Sequence, residues 1–81
     1  MTKGKIILNA LIVMRKLKPI CDAFDISYKY AHALASTSKN PSWDFMNKIK
    51  PIIPPSFWFE DASSEFTEKI KDHLEKELNY K

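Results

Sequence analysis

Proline occupies positions 19, 41, 51, 54 and 55 of this 81-residue chain, and that punctuation limits the fold more than any other feature. A proline cannot sit inside a helix without removing a hydrogen bond and clashing with the preceding turn, and it pushes the residue before it toward extended backbone. The chain is thereby cut into helix-length pieces. Lys18-Pro19 ends a first helix, and Pro19 opens a short second one to about Phe24, since proline suits a first helical position. Asp25, Ile26 and Ser27 read as a turn, with Ser27 capping a third helix from Tyr28 to about Ser36. Ser38-Lys39-Asn40-Pro41 reads as a loop, after which Ser42 caps a fourth helix that stops at Lys50 before Pro51. Pro54-Pro55-Ser56 breaks the chain before a short segment around Phe57 to Asp61, and Ser63 or Ser64 starts a last helix reaching about Tyr80. Nothing alternates as a strand would. The expected fold is all-α, a small bundle of five to six helices, with residues 1–61 forming one domain and 62–81 an amphipathic helix for packing or dimerisation.

Composition removes whole classes of function. The single glycine, Gly4, cannot build a phosphate-cradling loop or a dinucleotide fingerprint, which need several glycines for close backbone approach. One cysteine, Cys21, forms no internal disulfide, and with two histidines it offers no zinc spacing. Cys21 reads as a buried packing group. Near His32 no serine or cysteine nucleophile has an evident partner, so the chain carries no enzyme signature and implies no cofactor and no metal.

Charge is divided unevenly along the chain. Residues 1–58 hold nine basic side chains against three acidic ones, a net of +6, while the remainder holds four basic against seven acidic, a net of −3. A basic body with an acidic tail points to a polyanion partner for the first part and another role, such as pairing with a second chain, for the tail. Lys3 and Lys5 followed by the apolar run Ile6 to Met14 resemble the start of a signal peptide. The run is too short to span a bilayer, and Arg15-Lys16 follows where a small-residue cleavage site belongs. It reads instead as a helix with Ile6, Ala10, Val13, Met14 and Leu17 on its core face, in a cytoplasmic protein without a membrane partner.

The second and third helices, joined by three residues, meet the demands of a helix-turn-helix. Cys21 supplies the small residue at the crossing, Ile26 the apolar group in the turn, and Tyr30, Ala31 and Leu34 a docking face. At 100° per residue the opposite face collects Tyr28, Lys29, His32, Ala33 and Ser36. No acidic residue occurs between Ile26 and Trp43, as a surface that approaches phosphates requires.

The stretch Leu17 to Glu60, with its core ICDAFDISYKYAHALASTSKNPS followed by IPPSFWFE, resembles the Cro/CI-type (XRE family) helix-turn-helix proteins of phages and bacteria, whose fold is lambda-repressor-like. Ile20-Cys21, Asp25-Ile26-Ser27, Ala31 and Leu34 occupy the motif positions. The chain departs from the pattern at Asp25, where a turn glycine is usual, at Ala35 and Thr37, where glutamate and glycine commonly close the third helix, and at Leu17 in place of glutamine. The resemblance implies a transcription regulator, repressor-like, that places the third helix in the major groove of double-stranded DNA. By position it implies that Ser27, Tyr28, Lys29, His32 and Ala33 reach phosphates and base edges, with Lys29 donating to guanine and Ala33 packing on a thymine methyl. Lys18, Ser36, Lys39 and Asn40 flank them and, on the same resemblance, are expected to hold phosphates.

A single module covers one half-site, so a homodimer is expected. Trp43, Phe45, Met46 and Ile49 are assigned to the core. Phe57, Trp58 and Phe59 are consecutive and cannot all point one way, which leaves at least one exposed. They are expected to form the dimer interface with the stripe Phe66, Ile70, Leu74 and Leu78 of the last helix. The competing reading keeps the fold and changes the partner: a protein-binding adaptor, of antirepressor, inhibitor or antitoxin kind, that grips another regulatory protein with the aromatic segment and the acidic tail.

Overall fold

The computed structural model describes residues 2–78; in the last helix, nothing is described of the side chains of Lys71, His73, Glu75, Glu77 and Leu78. It is an all-α protein with helices α1 (Lys3–Val13), α2 (Leu17–Ala23), α3 (Tyr28–Ala35), α4 (Trp43–Lys48) and α5 (Ser64–Leu78), and a 3-10 turn at Pro55–Trp58. Among the described residues no strand forms, and Thr2 and Asp61 make an isolated antiparallel bridge.

Serine and threonine caps start the helices where the side-chain chemistry dictates. Ser27 Oγ accepts from Tyr30 N at 3.2 Å, Ser42 Oγ from Phe45 N at 3.2 Å and Ser63 Oγ from Phe66 N at 3.0 Å. Each satisfies an amide that has no partner inside the first turn. The boundary between the first two helices differs from expectation. α1 stops at Val13 and α2 already starts at Leu17, which puts Pro19 at its third position; the first-turn amides have no helical partner, so proline is accommodated there as well as at the first.

What stops α1 is a left-handed residue. Arg15 has φ 60°, Lys16 N donates back to Leu11 O at 2.9 Å, and Arg15 N to Ile12 O at 3.0 Å. α2 closes likewise: Asp25 has φ 57° and Ile26 N donates to Cys21 O at 2.8 Å. These are Schellman closures, in which glycine usually takes the left-handed position. An L side chain there costs roughly 1–2 kcal/mol, whereas glycine adds about 0.4–1 kcal/mol of unfolded-chain entropy. Arg15→Gly is therefore expected to stabilise the fold by about 0.5–1 kcal/mol, read as a raised urea midpoint with an unchanged slope.

The glycine is needed elsewhere. A Cβ placed on Gly4 would lie 2.4 Å from the ring of Trp58, so only glycine allows α1 to rest on that indole. Trp58 is 2% exposed and meets Phe45 edge-on at 5.7 Å; Phe45 in turn meets Tyr30 at 5.4 Å. Around this stack α1 packs against α2, α3, α5 and the 3-10 turn, burying Ile7, Leu8 and Leu11 with Leu17, Cys21, Ile49 and Ile53. Each fully buried leucine or isoleucine contributes about 1.5–3 kcal/mol.

Three core assignments change. The buried face of α1 is Gly4, Ile7, Leu8 and Leu11, while Ile6, Ala10 and Met14 are half-buried and Val13 is 69% exposed. The run is apolar nearly all round, so spacing does not choose its face; contact with Trp58 through Gly4 does. Trp43 is 67% exposed, because at 100° per residue it lies roughly 110° from the centre of the Phe45, Met46 and Ile49 stripe. Ile70 and Leu74 are buried against the body, and the radius of gyration of 11.7 Å matches about 12 Å for a compact unit of this length, so α5 is folded back.

Candidate nucleic-acid interface

The third helix divides as its sequence indicates. Ala31, Leu34 and Ala35 are buried, whereas Tyr28, Lys29, His32, Ala33 and Ser36 are exposed. Tyr28, Lys29, His32 and Ala33 line one shallow surface depression. The Tyr28 and His32 rings stand 5.7 Å apart, and from α2 the Lys18 ammonium lies 5.5 Å from the Tyr28 ring and 3.9 Å from Asp22 Oδ1. One exposed patch thus joins Lys18, Tyr28, Lys29 and His32. Ser27 is also exposed, its oxygen turned to the cap of α3.

Tyr30, expected on the docking face, is 39% exposed. Its ring meets Phe45 and its hydroxyl accepts from Ser42 N at 2.9 Å, which ties α3 to the start of α4. The intervening residues Ser36, Thr37, Ser38, Lys39 and Asn40 are all exposed, and Pro41 is buried. Lys39 and Asn40 therefore lie on a short bridge between the two helices.

Two residues of this region were not singled out from sequence. Lys5 is 6% exposed, and its ammonium donates to Leu34 O and, at 2.6 Å, to Thr37 O. Asn9 Nδ2 donates to Ala35 O at 3.2 Å and to Lys5 O at 3.0 Å. Together they cap the C-terminus of α3 from α1, with positive charge at the negative end of the helix dipole. Burial pushes the Lys5 ammonium below the usual lysine value. Between that lowered value and the ordinary one the unfolded chain holds more protons than the folded one, so this group's contribution to stability rises with pH in that window. The signal in the sequence was the spacing: Lys5 and Asn9, four apart in an apolar helix, share a face, and Thr37 stands where a C-terminal glycine would make an outside cap unnecessary.

The expected surface between copies is largely inside the protein. Trp58, Ile70 and Leu74 belong to the protein's own core, because the 3-10 turn and α5 both close onto α1. Phe57 and Phe66 are half-buried and meet edge-on at 5.9 Å, with the Lys3 ammonium 5.3 Å from the first ring and 5.6 Å from the second. Lys3 also pairs with Glu60 at 2.9 Å. Phe59 is the exposed aromatic of the triplet, at 68%, and the side chain of Leu78 lies outside the described residues.

Cys21 is buried, and burial first, then the Asp22 charge, pushes its thiol above the usual value; a thiolate nucleophile is disfavoured there. Among the described residues no group of three His, Cys, Asp or Glu side chains could hold a metal ion, and no helix is long and apolar enough to cross a membrane. No family model, curated protein or solved structure matches the chain.

Proposed function

We propose that this protein is a non-enzymatic, cytoplasmic DNA-binding regulator of transcription, repressor-like, that lays α3 in the major groove and acts as a dimer on paired half-sites. The observation that carries the reading is the exposed, carboxylate-free face of α3, where Tyr28, Lys29, His32 and Ala33 form one depression beside Lys18. Lysine and histidine donors there suit base-edge acceptors, and Lys39 and Asn40 on the following loop suit phosphates. The chain's single arginine, Arg15, lies outside this face, so discrimination between sequences is modest and leans on DNA shape. The dimer surface is the exposed ring of Phe59 with the half-buried Phe57 and Phe66, smaller than the sequence suggested.

Binding to duplex DNA should weaken steeply with salt, with a log–log slope of about −5 to −7 if a dimer engages roughly six to eight phosphates. Lys29→Ala should cost about 1–3 kcal/mol on a preferred duplex if it reads a base, and weaken all duplexes alike if it meets only phosphate. Electrophoretic or anisotropy titrations across a potassium chloride series measure both. Absence of binding at low salt would remove the DNA reading. The exposed indole of Trp43 and ring of Phe59 favour the second reading in that case, an adaptor that binds another regulatory protein.

A further inference from the structure

Helix α3 ends without the left-handed glycine that commonly closes such a helix, and its last carbonyls are satisfied from α1. Lys5 holds the carbonyls of Leu34 and Thr37, and Asn9 holds that of Ala35. We propose that Lys5 and Asn9 are positioning residues for the phosphate-contacting loop Ser38–Asn40, acting through the backbone carbonyls of Thr37 and Ala35 respectively; the proposal rests on the DNA reading above.

The loop is pinned at both ends. On one side the carbonyl of Thr37 receives the Lys5 ammonium at 2.6 Å. On the other, Ser42 N donates to the Tyr30 hydroxyl at 2.9 Å, with Pro41 buried just before it. Between the pins stand Ser38, Lys39 and Asn40, all exposed and none acidic. The four residues from Ser38 to Pro41 span at most about 14 Å, so fixing both ends confines the donors between them to a small volume. A phosphate bound there meets groups already in place, and the entropy of ordering the loop has been lost on folding rather than on binding. Lys5 is 6% exposed, and its ammonium is already bonded to the carbonyls of Leu34 and Thr37. Its influence on DNA must pass through the chain it holds.

Three variants of the full chain separate this role from a general effect on stability. Lys5→Met keeps the aliphatic length and removes the donors, Lys5→Arg keeps donors and charge, and Asn9→Ala removes the bonds to the carbonyls of Ala35 and Lys5 without any change of charge. Each is titrated with a random-sequence duplex over a potassium chloride series, at a temperature where circular dichroism shows it folded, and amide hydrogen exchange is followed residue by residue. Lys5→Met and Asn9→Ala should bind roughly three- to tenfold more weakly and flatten the log–log slope by about two units, one lost phosphate contact in each copy of the dimer. Lys5→Arg should restore most of both. Exchange should accelerate at the amides of Ser36 and Thr37, which bond the carbonyls of Ala33 and Leu34, while the amides of Ala31 and His32 stay protected. Folded variants with the parent slope and affinity overturn the proposal, as does exchange that accelerates uniformly. Should the parent chain itself fail to bind duplex, the DNA reading falls. The exchange pattern then decides alone whether Lys5 and Asn9 fix the entry to the loop, and unaltered exchange at Ser36 and Thr37 in Lys5→Met rejects it.

Discussion

Trp58→Ala is expected to remove a large share of the protein's stability, read as a much lowered urea midpoint. Truncating a buried aromatic costs about 3–5 kcal/mol through lost burial and the cavity left behind, and a domain of this size has roughly 4–12 kcal/mol in total. The ring is also the surface on which α1 rests, since it meets Gly4 on one side and Phe45 on another. Gly4→Ala should destabilise from the opposite direction, by about 1–3 kcal/mol or more, because a methyl 2.4 Å from the indole forces a fully packed ring to move. The two changes should not add. Once the indole is gone the alanine fits, and its better helix propensity, worth up to about 1 kcal/mol, turns the Gly4→Ala effect favourable. Urea unfolding in sulfate, which strengthens burial, keeps both backgrounds measurable. Equal costs for Gly4→Ala with and without the ring would show that something other than Trp58 excludes the side chain.

Leu74→Asp should abolish the fold rather than separate two copies. Leu74 is 4% exposed and Ile70 7%, both on the side of α5 that meets α1. An aspartate there loses the leucine's burial and places an unpaired carboxylate in an apolar site, at a cost of several kcal/mol. Circular dichroism should show lost helix at every protein concentration. A variant that keeps its helix content and sediments as half the parent's mass would instead make α5 an intermolecular element. Phe59→Ser, at an exposed ring, is the substitution suited to weakening association while leaving the core intact.

Element positions were legible in the sequence because their signals are local. Ser27, Ser42 and Ser63 each bond an amide three residues away, and prolines act on adjacent backbone, so caps and breaks can be read without knowing the fold. The exposed face of α3 was legible for the same reason: a helix with Ala31 and Leu34 on one side has a determined other side. The register of α1 was not, because Ile6 to Met14 offers apolar groups in nearly every direction and the choice is made by an indole more than forty residues away. Lys5 escaped notice for a related reason. A lysine in an apolar helix reads as a solvated charge until the carbonyls of Leu34 and Thr37 are known to lie beside it. The aromatic triplet was half legible: that one ring must be exposed followed from its spacing, whereas Trp58 as centre of the core followed from the position of the only glycine.

The packing of α1 against α5 also sets an order of events during synthesis. Residues 14–63, fifty in number, separate the two helices, and at about 5–20 residues per second a ribosome needs on the order of 3–10 seconds to make them. Through that interval Ile70 and Leu74 do not exist to cover α1. Helix α2 can assemble on one side of α1 before α5 is available, while the other side of α1 waits, apolar and uncovered. An apolar helix face left uncovered during synthesis is the kind of surface that holdase chaperones shield. A ribosome stalled before α5 should display a chain that protease cleaves within α1 and that release of the completed chain protects.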